Sequence, residues 1–463
     1  MPTARDARPP RRSSGGFVAQ LFAPVDIASL AVFRILFGAV LFWEVWRFFE
    51  NDWIRRYYIV RGFHFKYYGF EWVTPAPGDW MYVIFAALGV ASLGVMLGFF
   101  YRLAATLTFF GYAYVFLLDQ TRYLNHVYLV VLLCFLMIFV PAHRAASLDA
   151  RRRPELRSST VPAWALWLLR SQVAIVYVYA AIAKMNADWI RGAPIGAWIA
   201  ARDDTPLIGP LLAHPAAAAV FGFGGLLLDL WIVPLLLWRP TRVPALIAVT
   251  LFHVLNKWLF DIGIFPVLAM SATLLLLDPG WPRRLTLFFA PGDAPSSGAT
   301  GSPPTTWARR LVLFGGGAWL AVQLLVPLRH WLYPGNVHWT EEGHRFSWHM
   351  KLRDKDGKQT TFWVTNPRSG KRWAVDLGET LSTKQRARVG TRPDMTLQFA
   401  HHLGRKLELQ EGGPVEVRVE SRVSLNGREP QLLFDPGVDL TQVPRDLRHA
   451  EWILPLVEPL PKR

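Results

Sequence analysis

The chain has 463 residues, of which 52% are hydrophobic, 14% aromatic and only 18% charged, and its mean hydropathy is +0.22. Soluble domains carry more charge than this, and one cysteine, Cys134, excludes an intrachain disulfide. The net charge of +16 does not indicate a nucleic-acid partner, because the arginines lie between apolar spans instead of forming a stripe on a soluble domain.

Residues 1–24 are basic and rich in Pro, Ser and Gly, which predicts a mobile segment. A first span follows from about Val25 to Phe49, too long for a signal-peptide core and without a small-residue cleavage site. It contains Arg34 and Glu44, and charges at that depth must face other helices, so a packed bundle is expected. Further spans are expected at about 80–100, 103–118, 124–140, 163–189 and 216–238. The apolar stretch 243–277 exceeds one crossing and is expected to break near Lys257 to Asp261. A Pro/Ser/Gly linker then leads to a last span at about 310–328.

With the N-terminus inside, the inner segments carry roughly twice the Lys and Arg of the outer ones. The pattern predicts an α-helical polytopic membrane protein of about eight or nine crossings. Its divisions are the N-terminal segment 1–24, a bundle over 25–278, a cytoplasmic linker 279–309, a last helix 310–329 and an outer α+β domain 330–463. In that last region Lys355-Asp356-Gly357 reads as a hairpin turn and Asn426-Gly427 as a second one, because both tolerate positive φ. Val415, Val417, Val419, Val423 and Leu425 alternate along a strand, and Met395, Phe399, Leu403 and Leu407 mark an apolar helix stripe.

Asn125-His126, Lys184 and Asn256-Lys257 all fall on the outer side, so several helices are expected to assemble one polar site there. Lys184 ends the longest polar-interrupted apolar run, WALWLLRSQVAIVYVYAAIAK, where an ammonium is costly. Two readings stand: a functional amine, or a lysine that reaches to the interface and pairs with Asp188 one turn later. Gly222, Gly224, Gly225 and the run Gly315 to Gly317 lie inside apolar spans and read as packing positions. His401-His402 has no second ligand cluster, and no GxSxG elbow is present.

Several stretches resemble, in order, the vitamin K-dependent gamma-glutamyl carboxylase family in its bacterial form, related to the horizontally transferred transmembrane (HTTM) domain. They are SLAVFRILFG, DWMYVIF, GVMLGFFYR, YVFLLDQTRYLNHVYL, IVYVYAAIAKMNADW, GGLLLDL, LFHVLNKWLFDIGIF, RFSWHMK and FDPGVDL. The resemblance implies a reaction in which a lysine deprotonates a reduced naphthoquinone of the vitamin K or menaquinol type. The quinone anion then reacts with dioxygen, and the strongly basic product abstracts a γ-proton from a glutamate of a protein substrate. Carbon dioxide adds to the carbanion and the quinone leaves as its epoxide, with no metal, nucleotide or biotin.

The resemblance places Lys184 as the base, Asn125, His126 and His253 as quinol-binding residues, and Trp339, Arg345 and Trp348 in the glutamate-binding region. A base must be uncharged, and desolvation disfavours the charged form of an amine. Each residue also has a plainer reading: a helix cap for Asn125 and His126, a helix-bridging hydrogen bond for His253, and core packing for the tryptophans. The sequence departs from animal members at Ala183, Asn186 and His349, and it lacks their paired cysteines. The partners expected are the lipid bilayer, a quinol and a glutamate-containing protein, at a bacterial inner membrane with the C-terminal domain outside. Two alternatives stay open, a non-catalytic lipid-handling protein of the same fold and a quinol epoxidase without carboxylation.

Overall fold

Backbone groups have no water partners in hydrocarbon, so apolar runs of this length satisfy their own hydrogen bonds as helices. In the computed structural model, which describes residues 16–60, 62–202, 204–205, 208–214, 216–260, 262–285 and 305–461, they do so. The bundle consists of α1 (Ala28–Glu50), α2 (Trp80–Leu97), α3 (Tyr101–Leu118), α4 (Asn125–Phe139), α5 (Ala163–Lys184), α6 (Ala217–Leu237), α7 (Arg242–Leu259), α8 (Phe265–Thr273) and α9 (Thr306–Leu325). Among the described residues six helices are long and apolar enough to cross a membrane, namely α1, α2, α3, α5, α6 and the segment Thr306–Leu332. Asn125–Phe139 and Phe265–Leu276 are shorter apolar helices. The break in 243–277 falls between Leu259 and Phe265, where Gly263 takes φ +55°.

Of the N-terminal segment, residues 17–21 form a short helix and Pro24–Asp26 a strand (β1) paired antiparallel with Thr160–Pro162 (β2); residues 1–15 lie outside the described residues. Most of the expected linker, residues 286–304, also lies outside them.

Arg34 is fully buried, and its guanidinium donates to the carbonyls of Val95 (2.9 Å), Met96, Ala142 (3.2 Å) and Ala146 (2.5 Å). One side chain thus caps carbonyls in the last turn of α2 and in the turn that follows α4. Arg170 does the same for Leu275 and Leu277 at the end of α8, at 2.7 and 2.6 Å. The bundle therefore uses its intramembrane arginines as caps. Lipid supplies the remaining partner: on α9 Gln323 is buried, whereas Phe314 and Trp307 are more than 70% exposed, a pattern suited to hydrocarbon and not to water.

The C-terminal domain is built on an antiparallel sheet of order β4-β3-β5-β6, with β3 (Lys355–Thr365), β4 (Arg372–Ala374), β5 (Glu416–Leu425) and β6 (Gln431–Leu432). Two helices, α10 (Thr383–Val389) and α11 (Pro393–Glu411), lie with it, and Met395, Phe399 and Leu403 of α11 join Val417, Val419, Val423 and Leu425 in one core. Asn426 (φ 55°) and Gly427 (φ 80°) turn the chain between β5 and β6 as expected.

The turn expected at Lys355 to Gly357 does not form. β3 runs on through those residues, with Asp356 and Gly357 paired to Ser424 and Val423, and the register against β5 shifts between Gly357 and Gln359, so Lys358 is the extra residue of a bulge. The chain reverses instead at residues 366–371, closed by the Asn366 N–H bonded to Lys371 O, with Gly370 at φ +70°. The loop 50–79 is also not a simple connection. Phe65 sits in the core of the C-terminal domain with Phe63 packed against it, so that domain draws on residues far from its own stretch of sequence.

At Gly38 on α1 an added Cβ would stand 2.5 Å from the Met96 backbone nitrogen, whereas at Gly316 on α9 nothing lies within 4 Å. Gly38→Ala is expected to push α1 and α2 apart and destabilise the bundle by about 1–3 kcal/mol, while Gly316→Ala is neutral or slightly stabilising. Thermal unfolding in detergent distinguishes the two, and equal effects would contradict this packing.

Candidate functional site

α5 stops at Lys184 because Asn186 turns the chain: its Nδ2 donates to Ala183 O (2.8 Å) and its Oδ1 accepts from the Trp189 N–H (3.0 Å), capping the short helix Ala187–Ile190. This interruption removes the one-turn relation between Lys184 and Asp188. The expected interface pair is absent, and Asp188 faces the C-terminal domain. There Arg428 grips it in bidentate fashion (both contacts 2.7 Å) and Asn426 donates to it at 2.7 Å.

Lys184 is itself only 7% exposed, and its Nζ is bonded to the carboxylate of Asp229 on α6. Asp229 is 4% exposed. The sequence contained the signal, an aspartate within the apolar run GGLLLDL, but its partner was not identified by spacing. Gly225, one turn before Asp229, leaves room for the amine: a Cβ there would meet Lys184 Cε at 4.0 Å.

Both members of this pair line a cavity of about 1040 Å³ between the helix ends and the C-terminal domain. Asn125, His126, His253 and Asn256 line it too, whereas Lys257, expected with Asn256, does not. Asn125 is not a helix cap, since the capping position is Leu124. Its Oδ1 accepts from Tyr123 Oη (2.8 Å) and its Nδ2 donates to His349 O (3.0 Å), while Tyr123 Oη accepts from the Phe346 N–H (2.7 Å). The amide is held rigidly between bundle and domain, with one N–H remaining. The rings of His126 and His253 flank Phe265, at 5.8 and 5.7 Å. His253 Nε2 bonds Tyr177 Oη (3.1 Å), which also meets Thr273 Oγ1 (3.1 Å), so His253 does bridge α5, α7 and α8; its buried Nδ1 has no partner among the described residues.

The other wall comes from the C-terminal domain. His344, His349, Met350, Lys351, Leu352 and Arg353 line it, together with Lys384, Arg388 and Arg392. The segment entering this wall is strained, with positive φ at Glu341, Phe346, Trp348 and Lys351, none of them glycine. Strain of this kind persists where the surroundings over-determine it, which is common at binding sites. The cations outnumber the acids. Burial and the neighbouring Arg122, Arg388 and Arg392 bring Lys384 down to about 8, and burial brings Arg388 to about 10. Such a wall favours an anionic ligand.

Trp339, Arg345 and Trp348 are not brought to the cavity. Trp339 is fully buried in the domain core, its Nε1 donating to Leu454 O (2.7 Å). Trp348 is equally buried and packs on Tyr128, ring centroids 5.1 Å apart. Arg345 faces Asp394 at 3.8 Å. The residues of that region which do line the cavity are His344 and the five that follow Trp348. Their period is that of an irregular strained segment, which pattern reading does not resolve.

No group of three or more His, Cys, Asp or Glu side chains among the described residues is arranged to hold a metal ion. His401 bonds Val443 O (2.9 Å), and His402 packs on Phe63 at 4.5 Å.

A helical bundle with buried charge, meeting an extramembrane α+β domain at a cavity, defines a multi-pass membrane protein. The HTTM domain family model matches residues 22–281, more than half of the chain, and the model of the vitamin K-dependent gamma-carboxylase lumenal domain matches residues 308–459. The chain belongs to the vitamin K-dependent gamma-carboxylase family. No solved structure matches it.

Glu341 lies 2.7 Å from Arg353 and 3.9 Å from Lys355. Burial by itself would raise its carboxyl, but Arg353, Arg392 and Lys355 outweigh that and hold it at about 2, against an ordinary 4.5. A depressed carboxylate stabilises the fold above its unfolded value and loses that contribution as the pH falls from 4.5 towards 2, on the order of 3 kcal/mol here. Glu341→Gln is expected to lower stability at pH 7 and to flatten the fall over that window. Thermal unfolding from pH 7 to 3 in detergent measures it, and an unchanged acid limb would refute the assignment.

Proposed function

We propose that the protein is a quinol-dependent gamma-glutamyl carboxylase, in which oxygenation of a reduced naphthoquinone to its epoxide is coupled to carboxylation of a protein glutamate. The observation that carries this is Lys184, buried and facing one cavity with Asn125, His126 and His253.

The cavity suits such a ligand. It is large enough for a naphthoquinone ring system, its bundle side is largely apolar, and it presents the unpartnered His253 Nδ1 and the remaining Asn125 N–H as hydrogen-bonding groups. Asn125, His126 and His253 would hold the quinol, which supplies, with O2, the strong base that the glutamate γ-carbon requires. Lys184 takes the initiating proton, in a site from which the packed helices exclude bulk water. Asn125 and a neutral histidine donate to developing negative charge on an oxygen. Arg353, Arg388 and Arg392 form the wall that receives the substrate carboxylate, a role that paired guanidinium donors perform well. In this reading Trp339, Arg345 and Trp348 support that wall from behind.

In this reading the C-terminal domain lies on the outer side of a bacterial cell membrane, which the excess of basic residues in alternate connections supports. The lumenal-domain match of residues 308–459 agrees with that orientation.

Purified protein supplied with reduced vitamin K, a glutamate peptide and labelled carbonate is expected to yield epoxide and fixed label together. Lys184→Ala should lower both by about 10²–10⁴-fold with binding of the peptide retained. Epoxide without label would identify a quinol epoxidase instead. Full tolerance of the substitution would identify a binding protein.

A further inference from the structure

The Lys184 amine does not stand alone. Its Nζ has two acceptors among the described residues, the Asp229 carboxylate and, weakly, Ala180 O at 3.4 Å. The other carboxylate close in sequence, Asp188, is fully occupied by Arg428 and Asn426. Nearby basic groups are likewise taken up: Arg47 bonds Glu44 at 2.7 Å, and His253 Nε2 is bonded to Tyr177. Lys184 and Asp229 therefore form a closed two-group unit, with the amine's free N–H side on the cavity.

Such a pair holds one proton. As ammonium and carboxylate it has no lone pair on nitrogen, so an ammonium in contact with Asp229 is not a base. A lone buried amine would reach the neutral form by losing its proton to solvent, whereas a carboxylate at contact distance stabilises the charge. The basic lone pairs of this unit lie on the carboxylate.

We infer that Asp229 is the terminal proton acceptor of the site and acts through Lys184. This inference rests on the quinol reading above. As Lys184 takes the proton of an aromatic hydroxyl in the cavity, it passes one of its own to Asp229. The O–H bond of the donor and one N–H bond of Lys184 break; a new N–H bond and the Asp229 O–H bond form. The pair ends as ammonium and carboxylic acid, with the donor oxygen anionic beside the ammonium. No charge leaves the site, and no oxidant enters the step. The ammonium that remains stabilises the anion it has helped to make.

The step is separable from oxygen chemistry by using 1-naphthol, an aromatic hydroxyl that ionises with a red-shifted absorption band. Binding of 1-naphthol to the wild-type protein in detergent is expected to produce the naphtholate band at a pH where free 1-naphthol is neutral. Infrared difference spectra of the same sample should show a new protonated-carboxyl C=O stretch. That stretch should vanish in Asp229→Asn and persist, shifted, in Asp229→Glu, which also assigns it if the Asn variant does not fold. Turnover should fall at least about tenfold in Asp229→Asn and be largely restored in Asp229→Glu. Naphtholate without a carboxyl band would mean that Lys184 alone takes the proton and would overturn the inference, as would 1-naphthol remaining neutral. If both bands appear but reduced vitamin K is not turned over, the inference holds and the carboxylase reading fails.

Discussion

The structure depends on an ion pair placed where ions are disfavoured. Lys184 and Asp229 are both nearly inaccessible, on two helices long and apolar enough to cross a membrane. Bringing either group alone into such an environment costs several kcal/mol, and their mutual attraction offsets this only in good geometry. The pair consequently demands that α5 and α6 meet at these residues. Gly225 permits that approach, and Trp189 covers the amine, with its ring centroid 5.6 Å from Nζ. A well-packed apolar pair would stabilise a bundle at least as well. Charge in this position therefore points to chemistry more than to folding.

The second constraint is the fit between bundle and C-terminal domain. Asp188 and Arg428 form a buried bidentate link whose arginine follows the turn between β5 and β6. On the far side of the interface Gln120 donates to Asp394 (2.7 Å), and Arg445 joins Asp394 and Glu71, each at 2.7 Å. These contacts fix the cationic wall against the helix ends. Without that register the cavity would be two open half-sites, one apolar with a lysine, the other an exposed cluster of arginines. The freeing of Asp188 from Lys184 serves both ends: it anchors the domain and leaves Asp229 as the amine's only carboxylate among the described residues.

The intramembrane arginines make a related point about how polar groups are used in this fold. Arg34 and Arg170 satisfy carbonyls at helix ends, which water would serve in a soluble protein. Neither lines the cavity of Lys184, and their contacts are structural. Lys184 differs from them because it faces a space that a ligand can enter. Burial alone does not separate structural from functional charge in a membrane protein; what the charge faces does.

The amino-acid sequence by itself determined the class of the molecule, because long apolar runs have no alternative to helix in lipid and because alternating valines and turn residues define strands outside it. Connection lengths and basic loops also set the expectation that Asn125-His126, Lys184 and Asn256-Lys257 end on one side of the bundle, whereas His253 joined that group only through the family resemblance. The partner of Lys184 was decided only by the tertiary structure. A local rule favoured Asp188, four residues on, but Asn186 ends the helix, and Asp229 approaches from another helix 45 residues away. The substrate wall was decided in the same way. Trp339, Arg345 and Trp348 carry the recognisable residues, yet the strained backbone around them turns Lys351, Leu352 and Arg353 to the cavity, and positive φ at non-glycine residues leaves no mark in a sequence pattern. The strand through Asp356 and Gly357, predicted as a turn, has the same cause: Asp-Gly tolerates both conformations, and only the pairing of β3 with β5 selects between them.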